Sequence, residues 1–366
     1  MKFSTPRDAI LRPLQLVSGV VEKRQTLPIL SNVLLELNQD GLKVTATDLE
    51  MEVIARSEVD QSMPGKITVP VRKLQDTCKT LPDDAILNFE LKENKAVIKS
   101  GKTRFTLTTM PAEEFPVIDT KKSVFEFQIQ QNSLKRLIEK TQFAMAIQDV
   151  RYYLNGLLVE AENNKLRAVA TDGHRLALCD VSADIQTSEK VQVIIPRKGI
   201  LELSRLLEDN DEPVNVVIGE NYFRVVFKNV IFTTKLIDGK YPNYEGVIPT
   251  GGDKVMYADR NILRQCLIRT SILSNEKYRG IRLDISNNTL IAKANNPEQE
   301  EAEDEVTVSY DNDALAIGFN VNYLTDAISA VDTEQVRVIF SDSNGSALVK
   351  PFEDEDCLYV VMPMRL

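Results

Sequence analysis

No stretch of the sequence approaches the roughly 20 consecutive apolar residues that a bilayer-spanning helix needs. The opening Met1-Lys2-Phe3-Ser4-Thr5-Pro6 also lacks the apolar core of a signal peptide. These two absences lead us to expect a cytoplasmic protein that does not enter a membrane. Cysteine is scarce: Cys78, Cys179, Cys266 and Cys357 stand far apart, so neither a zinc-type C-x-x-C pair nor a dense disulfide framework is visible. All four are expected to be reduced structural thiols. His174 is the only histidine, and no G-x-S-x-G elbow accompanies Asp172-Gly173-His174, so a Ser-His-Asp hydrolase is not indicated. Gly101-Lys102-Thr103 lacks the earlier glycine of a phosphate-binding loop, Ala96 standing there, and is expected to be a hairpin turn. The acidic run from Glu298 to Glu305 lacks the alternating ligands and central glycine of a calcium loop, which makes it a solvated face. No cofactor, metal or catalytic site is implied. Positive charge is in deficit as well: the net charge is −10 and the pI is near 5.0. Bulk electrostatics therefore argues against a tight grip on nucleic acid, and the distribution of charge must decide.

The chain is 43% hydrophobic and 27% charged, the composition of an ordinary globular protein. Its 366 residues exceed the roughly 250–300 that one core supports, so two or three domains are expected.

A repeat decides between them. Ala46-Thr47-Asp48 recurs as Ala170-Thr171-Asp172, 124 residues later, and Ala294-Asn295-Asn296 follows after another 124. Upstream in each copy is an apolar, strand-like run: Ile29 to Leu37, Tyr153 to Val159, and Ile281 to Ile285. Downstream, Val69-Pro70 before Arg72-Lys73 is echoed by Ile195-Pro196-Arg197-Lys198 and by Phe319-Asn320-Val321-Asn322. Each introduces a helical spacing: Leu74, Cys78, Leu81; Ile200, Ser204, Leu207; Leu324, Ile328, Val331. A second helix opens each copy, after Pro6, at Leu134-Leu137-Ile138, and at Leu263-Cys266-Leu267. Asn132 or Ser133 is the expected N-cap of the second of these and Asp259 of the third. Short alternating segments such as Ile86 to Leu91, Tyr222 to Phe227 and Val336 to Phe340 complete each copy as strands. The copies end alike, with Phe105 to Met110 before Phe115-Pro116, Ile231 to Leu236 before Tyr241-Pro242, and Leu358 to Met362 near the end of the chain. Two helices and about eight strands per copy make an α+β domain with helices on one face of antiparallel sheet. Turn-forming and charged residues near Lys121-Lys122 and Thr250-Gly251-Gly252 mark boundaries that divide the chain into 1–122, 123–250 and 251–366.

Several strings then become specific. Leu27 to Asn32, Ala46 to Glu52, Asp149 to Gly156, Ala170 to Ala177, Ile272 to Lys277, Asn295 to Glu301 and Val360 to Leu366 closely resemble, in order and over the whole chain, the bacterial sliding clamp β subunit family. The resemblance implies a DNA clamp fold and a head-to-tail homodimer closed into a ring lined by twelve helices. Rotational symmetry agrees, since an unlike-face contact repeated by a closing rotation makes a ring. It implies partners too: double-stranded DNA read without sequence specificity, the DNA polymerase III catalytic subunit, the clamp loader, and other polymerases and repair proteins carrying short clamp-binding peptides. The alternative from another class is an interaction scaffold that does not encircle DNA.

The helices that would line the hole carry Arg12, Lys23, Arg24, Arg72, Lys73, Lys79, Lys135, Arg136, Lys140, Arg197, Lys198, Arg205, Arg260, Arg264 and Arg269. Acidic blocks at Glu298 to Glu305 and Glu353 to Asp356 would then face outward. Phosphate contacts carry no sequence information, which suits a carrier that moves along any DNA. The resemblance assigns DNA contact to Arg24, Arg72, Gln148, Tyr152 and Tyr153, and the basic pair Arg197 and Lys198 joins them. It assigns the closing interface to Phe105 and Leu107 against Ile272 and Leu273, with Lys73, Glu298, Glu300 and Glu303 as charged partners. It assigns a partner-peptide cleft to Leu154, Thr171, Gly173, His174, Arg175, Leu176, Pro242, Val247, Asn320, Tyr323, Ser346, Val360, Met362, Pro363, Met364, Arg365 and Leu366. A Met-rich terminal strand beside Leu and Tyr side chains can repack around several short apolar peptides, so different partners would compete for it. Two positions depart from the family pattern: Gly246 stands where a basic residue is expected and Asn344 where an aliphatic one is.

Overall fold

A computed structural model describes residues 1–21, 27–120, 122–185, 187, 189–353 and 355–365. The first repeat contains β1 Lys2–Pro6, α1 Arg7–Val17, β2 Asn32–Asn38, β3 Gly41–Thr47, β4 Met51–Ser57, β5 Asp60–Met63, β6 Gly65–Pro70, α2 Val71–Lys79, β7 Ile86–Lys92, β8 Lys95–Ser100 and β9 Thr103–Thr108. The second contains β10 Ser123–Gln130, α3 Gln131–Glu139, β11 Gly156–Glu162, β12 Lys165–Thr171, β13 Arg175–Ser182, β14 Val191–Pro196, α4 Arg197–Leu206, β15 Pro213–Gly219, β16 Tyr222–Val226 and β17 Val230–Lys235. The third contains β18 Lys254–Asp259, α5 Arg260–Ser271, β19 Gly280–Ser286, β20 Thr289–Asn295, β21 Glu301–Thr307, β22 Leu315–Asn320, α6 Val321–Ala330, β23 Gln335–Phe340, β24 Ala347–Pro351 and β25 Cys357–Val361. The α+β class and the threefold repetition are therefore those read from the sequence.

The chain forms two compact units, Met1–Asn132 with Leu201–Leu236 and Ser133–Ile200 with Ile237–Leu366. The first holds a five-stranded sheet, β5-β1-β7-β8-β9, and an eight-stranded sheet, β10-β15-β16-β17-β4-β3-β2-β6. The second holds an eight-stranded sheet, β14-β11-β12-β13-β25-β24-β23-β18, and a four-stranded sheet, β21-β20-β19-β22. In each eight-stranded sheet, four strands of one repeat meet four of the next through a single antiparallel contact, β17 with β4 and β13 with β25.

The helices follow from spacing and caps. In α2, Leu74 and Cys78 are fully buried and Leu81 just beyond it is nearly so, as the apolar spacing requires. Truncating Leu74 to alanine would cost about 2–5 kcal/mol, the usual range for a buried leucine. The Asp259 carboxylate accepts the Ile262 N–H at the start of α5, which is the expected cap. At the start of α6, Asn320 caps the Asn322 and Tyr323 N–H groups. In the first unit α1 packs on α2 and on β3 and β4, and in the second α5 packs on α6 and on β20 and β21.

Four expectations are corrected. Cys179 and Cys357 are not free: they are directly opposed across β13 and β25 and joined as a disulfide, while Cys78 and Cys266 remain buried thiols. Strand spacing could not reveal this pair, because the two residues are 178 positions apart in sequence. The α3 helix begins at Gln131, one residue before Asn132, so Asn132 and Ser133 lie in its first turn rather than ahead of it. Strand β2 starts at Asn32, the preceding Pro28–Ser31 forming a 3-10 turn with proline at its start. Likewise β11 starts at Gly156, after a 3-10 turn over Tyr152–Asn155. The apolar residues of both turns bury side chains without joining the ladder: Ile29, Leu30 and Leu154 are all buried.

Candidate partner cleft, DNA-facing residues and subunit edges

The turn between β12 and β13 is built by its own side chains. The Thr171 hydroxyl donates to the Arg175 carbonyl at 2.6 Å and accepts the Gly173 N–H at 3.1 Å. One Asp172 oxygen accepts the N–H groups of His174 and Arg175, at 2.9 and 3.1 Å, and the other accepts Nε of Arg175 at 3.1 Å. Both carboxylate oxygens thus serve the turn and the arginine. Gly173 has φ +87°, and a Cβ there would lie 3.0 Å from the Arg151 guanidinium.

Arg175 is the organising cation. It bonds Asp326 at 2.5 Å and the Phe143 carbonyl at 2.8 Å, and it lies over the Tyr323 ring, 4.5 Å from the centroid. The exposed His174 ring stacks with Tyr323 at 6.2 Å. Burial pushes the Tyr323 hydroxyl pKa up, and the nearby Asp172 carboxylate adds to the shift. The Met362 N–H bonds the His174 carbonyl at 3.0 Å, which draws the chain's last segment alongside the turn, and the Met364 N–H bonds Gly318 at 2.8 Å. Below them lies an apolar floor of Leu154, Leu158, Leu176, Tyr241, Tyr244, Leu348 and Val360.

The sequence-predicted cleft residues of the second unit lie on six segments. Leu154, Leu176 and Val360 are buried in the floor, whereas Thr171, Gly173, His174 and Arg175 form one rim. Met362, Pro363 and Met364 are half-buried along the tail, and Arg365 is exposed at its end. Pro242 and Val247 are exposed on the segment from Tyr241 to Ile248, while Asn320, Tyr323 and Ser346 are half-buried. Leu366 lies outside the described residues. Asn344 and the tail residues Pro363, Met364 and Arg365 also line a cavity of about 610 Å3 with Arg282, Ile317 and Gly318. Sequence reasoning missed Tyr241, whose hydroxyl accepts the Thr171 N–H at 3.1 Å, and Tyr244. The recurrence of Phe115-Pro116 as Tyr241-Pro242 was the signal, but it marked a boundary rather than a role.

Arg24, expected to contact DNA, and Lys23 lie outside the described residues. Arg72 is exposed on α2 in the first unit. In the second unit Gln148 is exposed with φ +54°, Tyr152 is 56% exposed, and Tyr153 is half-buried edge-on to it at 5.7 Å. Arg197 is half-buried and bonds the carbonyls of Gln142 and Met145 at 3.4 and 3.3 Å; burial, and then the nearby Arg175, depress its pKa. Lys198 is half-buried. Beside this group Asp149 is held down to a pKa of about 2 by its hydrogen bond from Arg151.

Of the residues expected at a subunit interface, Phe105, Leu107 and Glu303 lie on edge strands. In the first unit Phe105 and Leu107 are half-buried on β9, an edge strand of the five-stranded sheet, and Lys73 is exposed on α2. In the second, Ile272 is 73% exposed and, with Leu273, Glu298 and Glu300, lines a cavity of about 490 Å3. Glu303 is on β21, an edge strand of the four-stranded sheet, paired with Lys293 at 3.2 Å.

Comparison with known proteins identifies this architecture. The N-terminal, central and C-terminal domains of the DNA polymerase III beta subunit match residues 1–119, 128–243 and 245–365. The chain belongs to the DNA polymerase III beta subunit family. It is 55% identical to the beta sliding clamp of Pseudomonas aeruginosa and 48% identical to that of Escherichia coli, with all of each chain covered in both comparisons. The crystal structure of the P. aeruginosa DNA polymerase sliding clamp superposes with a TM-score of 0.98 at 54% identity, covering both chains completely. The same clamp bound to griselimycin gives 0.97 at 54%, again over all of both chains. Membership of the beta clamp family makes the chain an accessory protein of replication rather than an enzyme.

Proposed function

We propose that the protein acts as a head-to-tail homodimeric ring around duplex DNA, divided near residues 122 and 250 into three clamp domains, and tethers polymerases to the template. Family membership supports the clamp role; the repeated seam between strands, one copy short, supports the dimer. Phe105 faces Ile98 in its hairpin. The matching places in the next two repeats are Phe232, facing Val225, and Tyr359, facing Val349. Across the two seams Phe232 stands opposite Val53, and Tyr359 opposite Ala177. Val53 and Ala177 pair inward with the repeat markers Ala46 and Ala170; the third marker, Ala294, pairs with Ala302 on β21. Strands β9 and β21 are thus the two halves of a third seam that this chain leaves open. Joined between copies, they set Phe105 opposite Ala302 of the partner subunit, in an unlike-face contact of the kind that closes rings.

In this reading DNA is held without sequence preference by Arg24, Arg72, Gln148, Tyr152, Tyr153, Arg197 and Lys198, and retention comes from topology rather than tight phosphate binding. The cleft takes short apolar peptides from the DNA polymerase III catalytic subunit, the clamp loader, and other polymerases and repair proteins. Its open tail segment and methionines suit such peptides. The site of action is the bacterial cytoplasm, on the nucleoid DNA; none of the described helices is long and apolar enough to cross a membrane. The deciding experiment loads the labelled protein on nicked circular DNA with a clamp loader, then linearises half of the sample. The expected result is retention on circles and loss from cut DNA at moderate salt. Equal release from both forms would overturn the ring.

A further inference from the structure

The segment from Tyr241 to Ile248 carries Pro242 and Val247, yet no strand holds it. Among the described residues its backbone hydrogen bonds are internal, Val247 N–H to Tyr244 and Ile248 N–H to Glu245. Attachment therefore falls to side chains. Tyr244 is 5% exposed, and its ring packs in the cleft floor. Its hydroxyl donates to Glu160 at 2.6 Å and accepts from Arg167 at 3.3 Å, so both its hydrogen-bonding capacities are used.

These partners form a row. Gln192, Glu160, Arg167 and Asp180 are directly opposed neighbours on β14, β11, β12 and β13. Because strand side chains alternate, the residues two places along the same four strands share that face. Those are Ile194, Leu158, Val169 and Leu178, the apolar residues beneath the cleft. The row has further partners that hold it in place. Glu160 also takes Lys190 at 2.8 Å and Gln192, and Arg167 grips Asp180 with two bonds of 2.7 and 2.8 Å. Glu160 is only 3% exposed, so its carboxylate cannot turn to water if the tyrosine hydroxyl is removed.

We infer that Tyr244 is a positioning residue for the peptide cleft, its hydroxyl pinning the segment that presents Pro242 and Val247 to the Glu160–Arg167 row; this rests on the cleft reading above. The ligand class is unchanged, a short apolar peptide. What Tyr244 contributes is pre-organisation: a wall already in place needs no ordering when the peptide arrives.

The test uses the full-length dimer and a fluorescein-labelled six-residue peptide with two leucines and a phenylalanine, read by anisotropy at a temperature where every variant is folded. Tyr244→Phe keeps the ring and loses the hydroxyl; the expected result is about tenfold weaker binding, comparable to one charge-assisted hydrogen bond. Glu160→Gln keeps an acceptor oxygen and is expected to lose less. Leu290→Ala, a buried change on β20, in the four-stranded sheet rather than the one that carries the row, lowers the melting temperature but leaves affinity as in the wild type. Wild-type affinity in folded Tyr244→Phe overturns the inference while the cleft reading stands. So does an equal loss in Leu290→Ala, which would mean general loosening. Absence of binding by the wild-type protein brings down the cleft reading and this inference together.

Discussion

Tyr359 stands directly opposite Ala177 where β25 meets β13. The same strand position pairs Phe232 with Val53 in the other unit, an aromatic set against a small or medium apolar residue each time. In the proposed ring Phe105 takes the same role between subunits, across from Ala302 of the partner subunit. Phe105→Asp would put a carboxylate into this apolar seam, and the expected result is a dimer dissociation constant raised at least about 100-fold. Analytical ultracentrifugation should give a folded monomer. A dimer as tight as wild type would remove β9 from the interface.

Much of this was legible in the sequence, for physical reasons. The repeat was visible because Ala46-Thr47-Asp48 and Ala170-Thr171-Asp172 build the same turn: Asp48 accepts the N–H groups of Glu50 and Met51 as Asp172 accepts those of His174 and Arg175. Helix faces were visible because Leu74, Cys78, Leu324 and Ile328 repeat at helical spacing and are buried. Contacts made only by folding were not legible. Cys179 and Cys357 meet across strands of different repeats. Tyr244 reads as one aromatic in a polar linker, and nothing local indicates that Glu160 and Arg167 on two separate strands converge on its hydroxyl. The 3-10 turns at Pro28–Ser31 and Tyr152–Asn155 were hidden because their apolar composition is also that of a strand.

Arg72 is exposed on α2, so its contribution to DNA binding should be electrostatic and independent of sequence. Arg72→Ala is expected to weaken binding alike on unrelated duplexes and to reduce the slope of log K against log salt by about 1. The measurement is a salt titration on two duplexes of different base composition. An unchanged slope would mean that Arg72 meets no phosphate.

Burial works against ionisation of Asp180, but hydrogen bonds from Arg167 and Lys165 outweigh it and hold the carboxyl below its usual range. A carboxylate depressed in the folded state adds stability that is complete above its unfolded pKa of about 4 and is lost as pH falls through the lower folded value. Asp180→Asn should therefore melt below the wild type at pH 7, and the gap should narrow from about pH 4 downward. Calorimetry across that range checks it. A gap of constant size would mean that the ion pair is not the source of the difference.

The tail is fixed at two points, Met362 to His174 and Met364 to Gly318, and only the first belongs to the rim of the cleft. Ending the chain after Pro363 removes the second anchor and the apolar side chain of Met364 but leaves β25 and its pairing with β13 in place. Such a truncation touches neither β9 nor β21. The expected outcome is a dimer of normal mass with peptide affinity at least about 100-fold weaker, the size of loss seen when a buried anchor of an interface is deleted. Sedimentation and anisotropy on one preparation separate the two properties. Loss of the dimer along with the peptide would make the tail a structural strand, and retention of full affinity would move the cleft away from Met364.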